Sequence, residues 1–122
     1  MSALPHASLP VLRRLRFHYQ ALASITRLRI LNELARNGEQ TVQEIADALG
    51  ISQPRLSWHL RMLRRGELVT ARRAGRALYC SLNREALTAF QRRLASLIES
   101  RTQEPIHLPE TPVRAPYQRS EA

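Results

Sequence analysis

Lysine is missing from this 122-residue chain, and all 19 of its basic residues are arginine. GC-rich coding alone produces such a bias, so no function is read from it. A single cysteine, Cys80, excludes an internal disulfide framework and any two-cysteine switch within one chain. No stretch of about 20 apolar residues exists, which excludes a membrane-spanning helix. Met1 to Pro10 holds two prolines and no apolar run, unlike a secretory signal. The expected location is therefore the cytoplasm. Only four glycines are present, and none belongs to a phosphate-cradling loop. The ten acids are scattered, with no carboxylate pair and no nucleophile beside a base. The chain is not expected to be an enzyme or to hold a cofactor.

What is there is cationic charge. Nineteen basic residues face ten acidic ones, giving +9 and a pI near 11.4, a balance suited to nucleic acid or an anionic membrane. The charge is concentrated: residues 52–76 carry seven arginines and one acid, Glu67. No basic segment has the broad apolar face of a membrane-surface helix, so double-stranded DNA is the expected partner and a membrane is not.

The segment Thr41–Arg65, TVQEIADALGISQPRLSWHLRMLRR, carries the clearest local signals. Thr41 followed by Glu44 is a capping box, in which hydroxyl and carboxylate each serve the other residue's amide. Val42, Ile45 and Leu49 recur at helical spacing, and Gly50 supplies the left-handed backbone that ends the helix. Ser52 caps the next helix and Pro54 falls in its first turn, where a missing N–H costs little. Helix, short glycine turn, helix is the helix-turn-helix pattern.

At about 100° per residue, Leu56, Leu60 and Leu63 share one narrow sector of the second of these helices, with His59 beside them. Pro54, Trp58, Arg61 and Arg65 occupy the opposite sector, flanked by Arg55 and Ser57. The apolar stripe must bury, so the arginines must face out, where they fork onto phosphate or onto guanine O6 and N7. Gln53 and Ser57, near the helix start, are short enough to read base edges in a major groove. An exposed Trp58 argues against a merely solvated face.

Around this segment the pattern predicts a helix over 10–23 with Leu12, Leu15, Tyr19 and Leu22 on one face. A second helix is predicted over 26–36 with Leu28, Ile30, Leu31 and Leu34 apolar, stopped by Asn37-Gly38. Residues 67–73 and 77–82 read as two strands joined at Ala74-Gly75-Arg76, a hairpin presenting Arg72, Arg73 and Arg76 as a basic wing. A last helix over about 84–101 carries Leu87, Phe90, Leu94 and Leu97. The expected organisation is a flexible N-terminus over 1–9, one domain over 10–101 and a Pro-rich, disordered tail over 102–122. The fold class is mainly α with a two-stranded β-wing.

The first and last helices carry more apolar surface than a small helix-turn-helix core can cover. A homodimer through Leu12, Leu15, Tyr19, Leu87, Phe90, Leu94 and Leu97 is the expected solution. It would set two recognition helices about 34 Å apart, on successive major grooves of a palindromic site.

Leu22–Leu34, LASITRLRILNEL, resembles the opening "ALA-x-x-TRLRIL-x-x-L" of the ArsR/SmtB family of bacterial winged-helix repressors. Ile51 to Pro54, Leu56 to Leu60 and Leu63-Arg64 are similar to that family's recognition helix. Gly66, Leu68-Val69, Arg73, Gly75, Arg76 and Tyr79 match the spacing of its wing. The resemblance covers roughly residues 15–100. It implies a homodimeric repressor joined by its first and last helices, with DNA-contacting positions at Gln53, Pro54, Ser57 and Trp58 and wing arginines on phosphates.

The resemblance stops at sensing. One family metal site uses paired cysteines, which fall here on Thr41 and Gln43. Another uses positions that fall on Arg84, Ala86, Leu97 and Ser100. None of these is fit to hold zinc, nickel or cobalt. His6, His18, His107 and Glu110 are the remaining metal candidates, and no spacing links them. His59 reads as a partly buried helix residue, and Cys80 as a small buried hydrophobe. The inducer stays open: a metal- or redox-responsive repressor with a different site is one alternative, and a non-specific architectural nucleic-acid binder another.

Overall fold

A computed structural model describes residues 7–99. Helices α1 (Leu9–Leu22) and α2 (Ile25–Asn37) lead into a two-residue strand β1 (Gln40–Thr41). Then come α3 (Val42–Leu49), α4 (Gln53–Arg65), β2 (Val69–Ala74), β3 (Ala77–Leu82) and α5 (Arg84–Ile98). Every helix begins on a side chain that accepts a backbone amide: Ser8 from Val11, Ser24 from Arg27, Thr41 from Glu44, Ser52 from Arg55 and Asn83 from Ala86. Each such cap is worth about 1 kcal/mol. The Thr41–Glu44 capping box is complete, and Gly50 ends α3 in the left-handed conformation its missing Cβ permits.

The sheet has three strands, not two. β3 lies in the middle, antiparallel to β2 and β1, with Cys80 opposite both Ala71 and Gln40. β1 is too short for any periodicity and exists only because β3 pairs with it. The first wing strand also starts later than its hydrophobicity suggests. Glu67 takes a left-handed φ of 65° and turns the chain out of α4, so pairing begins at Val69. The hairpin tip narrows to Gly75-Arg76, with Ala74 and Ala77 paired.

One core forms where α2, α3, α4 and the sheet meet, around Ile30, Ile45, Leu56, Leu63, Leu68 and Cys80. α1 and α5 close it with Leu15 and Phe90. This rotates α1 from its expected orientation. Its buried face is Leu15, His18 and Ala21, with Tyr19 and Leu22 half-buried, while Leu12 stays exposed. Leu28, expected among the apolar positions of α2, is exposed as well. α5 gives way to extended backbone at Glu99, earlier than expected.

The expected dimer set divides accordingly. Leu15 and Phe90 are buried in their own subunit. Tyr19, Leu87 and Leu94 pack half-buried against that core. Only Leu12 and Leu97 of the set are exposed, alongside Leu9 and Ile98. His6, His107, Glu110 and the tail over 102–122 lie outside the described residues. No described helix is long and apolar enough to cross a membrane.

Candidate nucleic-acid interface

α4 is held from behind and open in front. Leu56, Leu60 and Leu63 are at most 3% exposed, while Gln53, Pro54, Arg55, Ser57, Trp58, Arg61, Arg64 and Arg65 all face solvent. Full burial of three leucines fixes the helix's rotation about its axis, worth about 1.5–3 kcal/mol per side chain.

Side chains from other elements set the front of the helix. Trp58 stays 49% exposed, with the Arg27 guanidinium 5.7 Å from its ring centre and His59 edge-on at 5.2 Å. Arg27 is anchored by Nε, which donates to the Ala21 carbonyl at 2.8 Å, and its Nη1 lies 3.4 Å from His59 Nδ1. Burial pushes the His59 pKa below its ordinary value, and the cations of Arg27 and Arg55 push it the same way. The imidazole is thus kept neutral, able to accept from Arg27. Sequence reasoning did not single out Arg27 for this part, because the contact joins residues 32 positions apart. Across the helix-turn-helix, Gln53 Nε2 donates to Gln43 Oε1, and Gln43 Nε2 donates to Asp47 Oδ1 at 2.9 Å.

The C-terminal end of α4 is gripped by α1. Arg65 lies 5.5 Å from the Phe17 ring centre, and His18 Nδ1 meets the Gly66 carbonyl oxygen at 2.8 Å. Arg14 Nη2 donates to both carboxylate oxygens of Glu67, at 3.0 and 2.7 Å. Gly66 is there because nothing larger fits: a Cβ on it would sit 2.7 Å from that of Ala21. Residues 14, 17, 18 and 21 share one face of α1, so a single helical stripe holds three consecutive residues of the chain leaving α4.

The wing arginines divide in two. Arg72 is a strut: Nε and Nη2 both reach Glu39 at 2.9 Å, and its guanidinium lies 4.7 Å from the Tyr79 ring centre. Ser81 Oγ adds a third contact to Glu39 at 3.2 Å. The Arg72 hydrogen bonds hold the Glu39 carboxyl below its ordinary pKa. Arg73 and Arg76 are exposed, and neither has an acidic partner among the described residues.

Little here suits a metal. Among the described residues no three His, Cys, Asp or Glu side chains converge. His18 is 3% exposed, stacked on Phe90 and bonded to Gly66, which removes it from the metal candidates. Thr41 is spent on its helix cap and Gln43 on Asp47. Cys80 is fully buried, and that burial pushes its thiol pKa up, away from reactive thiolate.

Comparison with known proteins agrees with this geometry. Residues 24–71, from the cap of α2 to the middle of β2, match the model of the bacterial regulatory protein, arsR family. The chain is 36% identical over 69 residues to the transcriptional repressor SdpR of Bacillus subtilis, covering 57% of this chain and 76% of SdpR. It is 48% identical over 63 residues to the HTH-type transcriptional regulator NmtR of Mycobacterium tuberculosis, about half the length of each. A homodimeric winged helix-turn-helix DNA-binding domain from Mycobacterium bovis superposes with a TM-score of 0.64 at 29% identity, covering 88% of this chain and all of that one.

Proposed function

The chain belongs to the arsR family of bacterial regulatory proteins, and we propose that it acts there as a homodimeric, sequence-specific repressor that reads a palindromic operator with α4. One observation carries this reading. α4 is locked from behind by Leu56, Leu60 and Leu63, while its front offers short readers, an exposed tryptophan and arginines with no acidic partner among the described residues. Gln53, Pro54, Ser57 and Trp58 supply base contacts in the major groove. Arg55, Arg61 and Arg65 supply phosphate or guanine contacts, and Arg73 and Arg76 add phosphate contacts from the wing. Arg72 serves instead as a support for the wing, since its donors are already taken by Glu39.

Two copies joined at the exposed apolar ends of α1 and α5, around Leu12 and Leu97, place two such helices on one face of a duplex. Pairing as such is supported by the homodimeric M. bovis domain. The protein works without the metal sites of its family. In support, Thr41 and Gln43 are occupied as cap and side-chain tether, and no described cluster replaces them.

The test is a shift assay on the DNA upstream of its own gene, at stated salt. A specific repressor prefers one palindromic duplex over bulk DNA by at least about 1,000-fold. Arg61→Ala should weaken that complex, and equal binding to all duplexes would replace this reading with an architectural one. Divalent metals, chelator and thiol oxidants should each leave the affinity unchanged.

A further inference from the structure

Between α4 and β2 lies a shallow, open groove of about 550 Å³, lined by Arg61, Arg64 and Arg65 on the helix and by Val69, Thr70 and Ala71 on the strand. A second, narrower recess shares Arg61 and Arg64 and continues past Ser57 to Leu78. Arginine therefore lines the helix side of both. We propose that this groove seats a backbone phosphodiester of the bound duplex, with Arg64 as its principal ligand and Arg73 extending the track along the wing. The inference rests on the DNA-reading assignment above and adds to it a contact, through Arg64, that the residues named there do not include.

Arg64 stands at the flank of the outward face of α4. Seven positions after Ser57 it falls nearly in line with that residue, and it is the flank next to the sheet, where Arg64 lines both recesses. The pleat of β2 then divides its residues. Val69 and Ala71 face the helix, so Arg73, two further along, falls on the same side. Arg72 falls on the other side, with Glu39, Tyr79 and Ser81.

Charge decides what fills the groove. Arg61, Arg64 and Arg65 stand at i, i+3 and i+4, where like charges repel. The acids near this surface are already committed, Glu67 to Arg14 and Glu39 to Arg72. No carboxylate among the described residues relieves the three, so an anion brought from outside does. The groove opens beside Ser57 and Arg61 of the reading face, which makes a DNA strand the anion that lies alongside.

The experiment measures the salt dependence of operator binding by the full chain and by Arg64→Gln. Loss of one phosphate contact should lower the slope of log K against log salt by about 0.9 and leave base preference intact. Arg72→Gln should leave the slope unchanged. A second readout replaces single operator phosphates with neutral methylphosphonates. One position should weaken the wild type and have no effect on Arg64→Gln. An unchanged slope for Arg64→Gln, an altered base preference, or the same methylphosphonate loss in both proteins would overturn the assignment. Arg61→Ala separates the two levels. If it weakens binding while Arg64→Gln is silent, only the groove is wrong; if no duplex is preferred at all, the repressor reading fails first.

Discussion

His18 lies flat on Phe90, ring centres 4.5 Å apart and planes 10° from parallel, with its Nδ1 turned away to the carbonyl of Gly66. Through this one side chain α1 touches α5 and the end of α4 together. His18→Leu keeps the apolar contact but leaves the Gly66 carbonyl without its donor. Urea unfolding should show a loss of about 1–3 kcal/mol. Stability equal to wild type would mean that the hydrogen bond does not hold α1 in place.

Gly66 faces Ala21 with no room for a methyl group. Gly66→Ala should therefore destabilise the fold by about 1–3 kcal/mol, because one of two packed elements has to shift. Its backbone φ is −83°, which suits alanine, so the cost is a clash and not backbone strain. Ala21→Gly in the same chain should recover much of the loss. Additive effects in the double-mutant cycle would refute the contact.

Leu97 stands exposed on the last turn of α5, whereas Leu94 packs partly on its own core. Leu97→Glu should thus yield folded monomers in light scattering, with the circular dichroism of the wild type and weakened operator binding. Leu94→Glu should also lower the melting temperature. A Leu97→Glu protein that remains dimeric would move the interface elsewhere.

Acid should destabilise the protein in two stages. His59 is held neutral by burial and by its cationic neighbours, so the unfolded chain takes up that proton first. The corresponding stability is complete above the ordinary imidazole value of about 6.5 and is lost as pH falls below it. Glu39 is held ionised by Arg72, so its contribution is complete above the ordinary carboxylate value and is lost as pH falls through the lowered one. Melting temperatures measured from about pH 7.5 down to about 2.5 should fall in that order. His59→Gln should flatten the upper part and Glu39→Gln the lower. A melting temperature that rises on acidification through 6.5 would contradict the first assignment.

The parts of this fold that were legible in the sequence are those governed by neighbours three or four residues apart. Thr41 with Glu44, Gly50, Ser52 and the Leu56/Leu60/Leu63 stripe all depend on local backbone geometry, and all stand where their spacing put them. The misjudged parts depend on partners far along the chain. β1 is a strand because Cys80 and Tyr79 pair with it, about 40 residues later. The inner face of α1 passes through His18 because Gly66 and Phe90 receive that ring, which no hydrophobic stripe would suggest. Arg72 reads as one of three wing cations until Glu39, 33 residues earlier, is found beneath it. The outline of the candidate interface was readable for the same reason as α4 itself. Its supports, Arg27, Arg14 and Glu39, were not.

Cys80 is sealed at the centre of the sheet, with no exposed surface at all. Thiol reagents therefore meet a protein that is silent while folded and reactive once β3 opens. The speed of sulfur capture becomes a clock for how often the wing detaches from the body. Because that native thiol stays hidden, a cysteine placed at the Gly75-Arg76 tip would take a fluorophore alone, leaving every native residue of the core untouched.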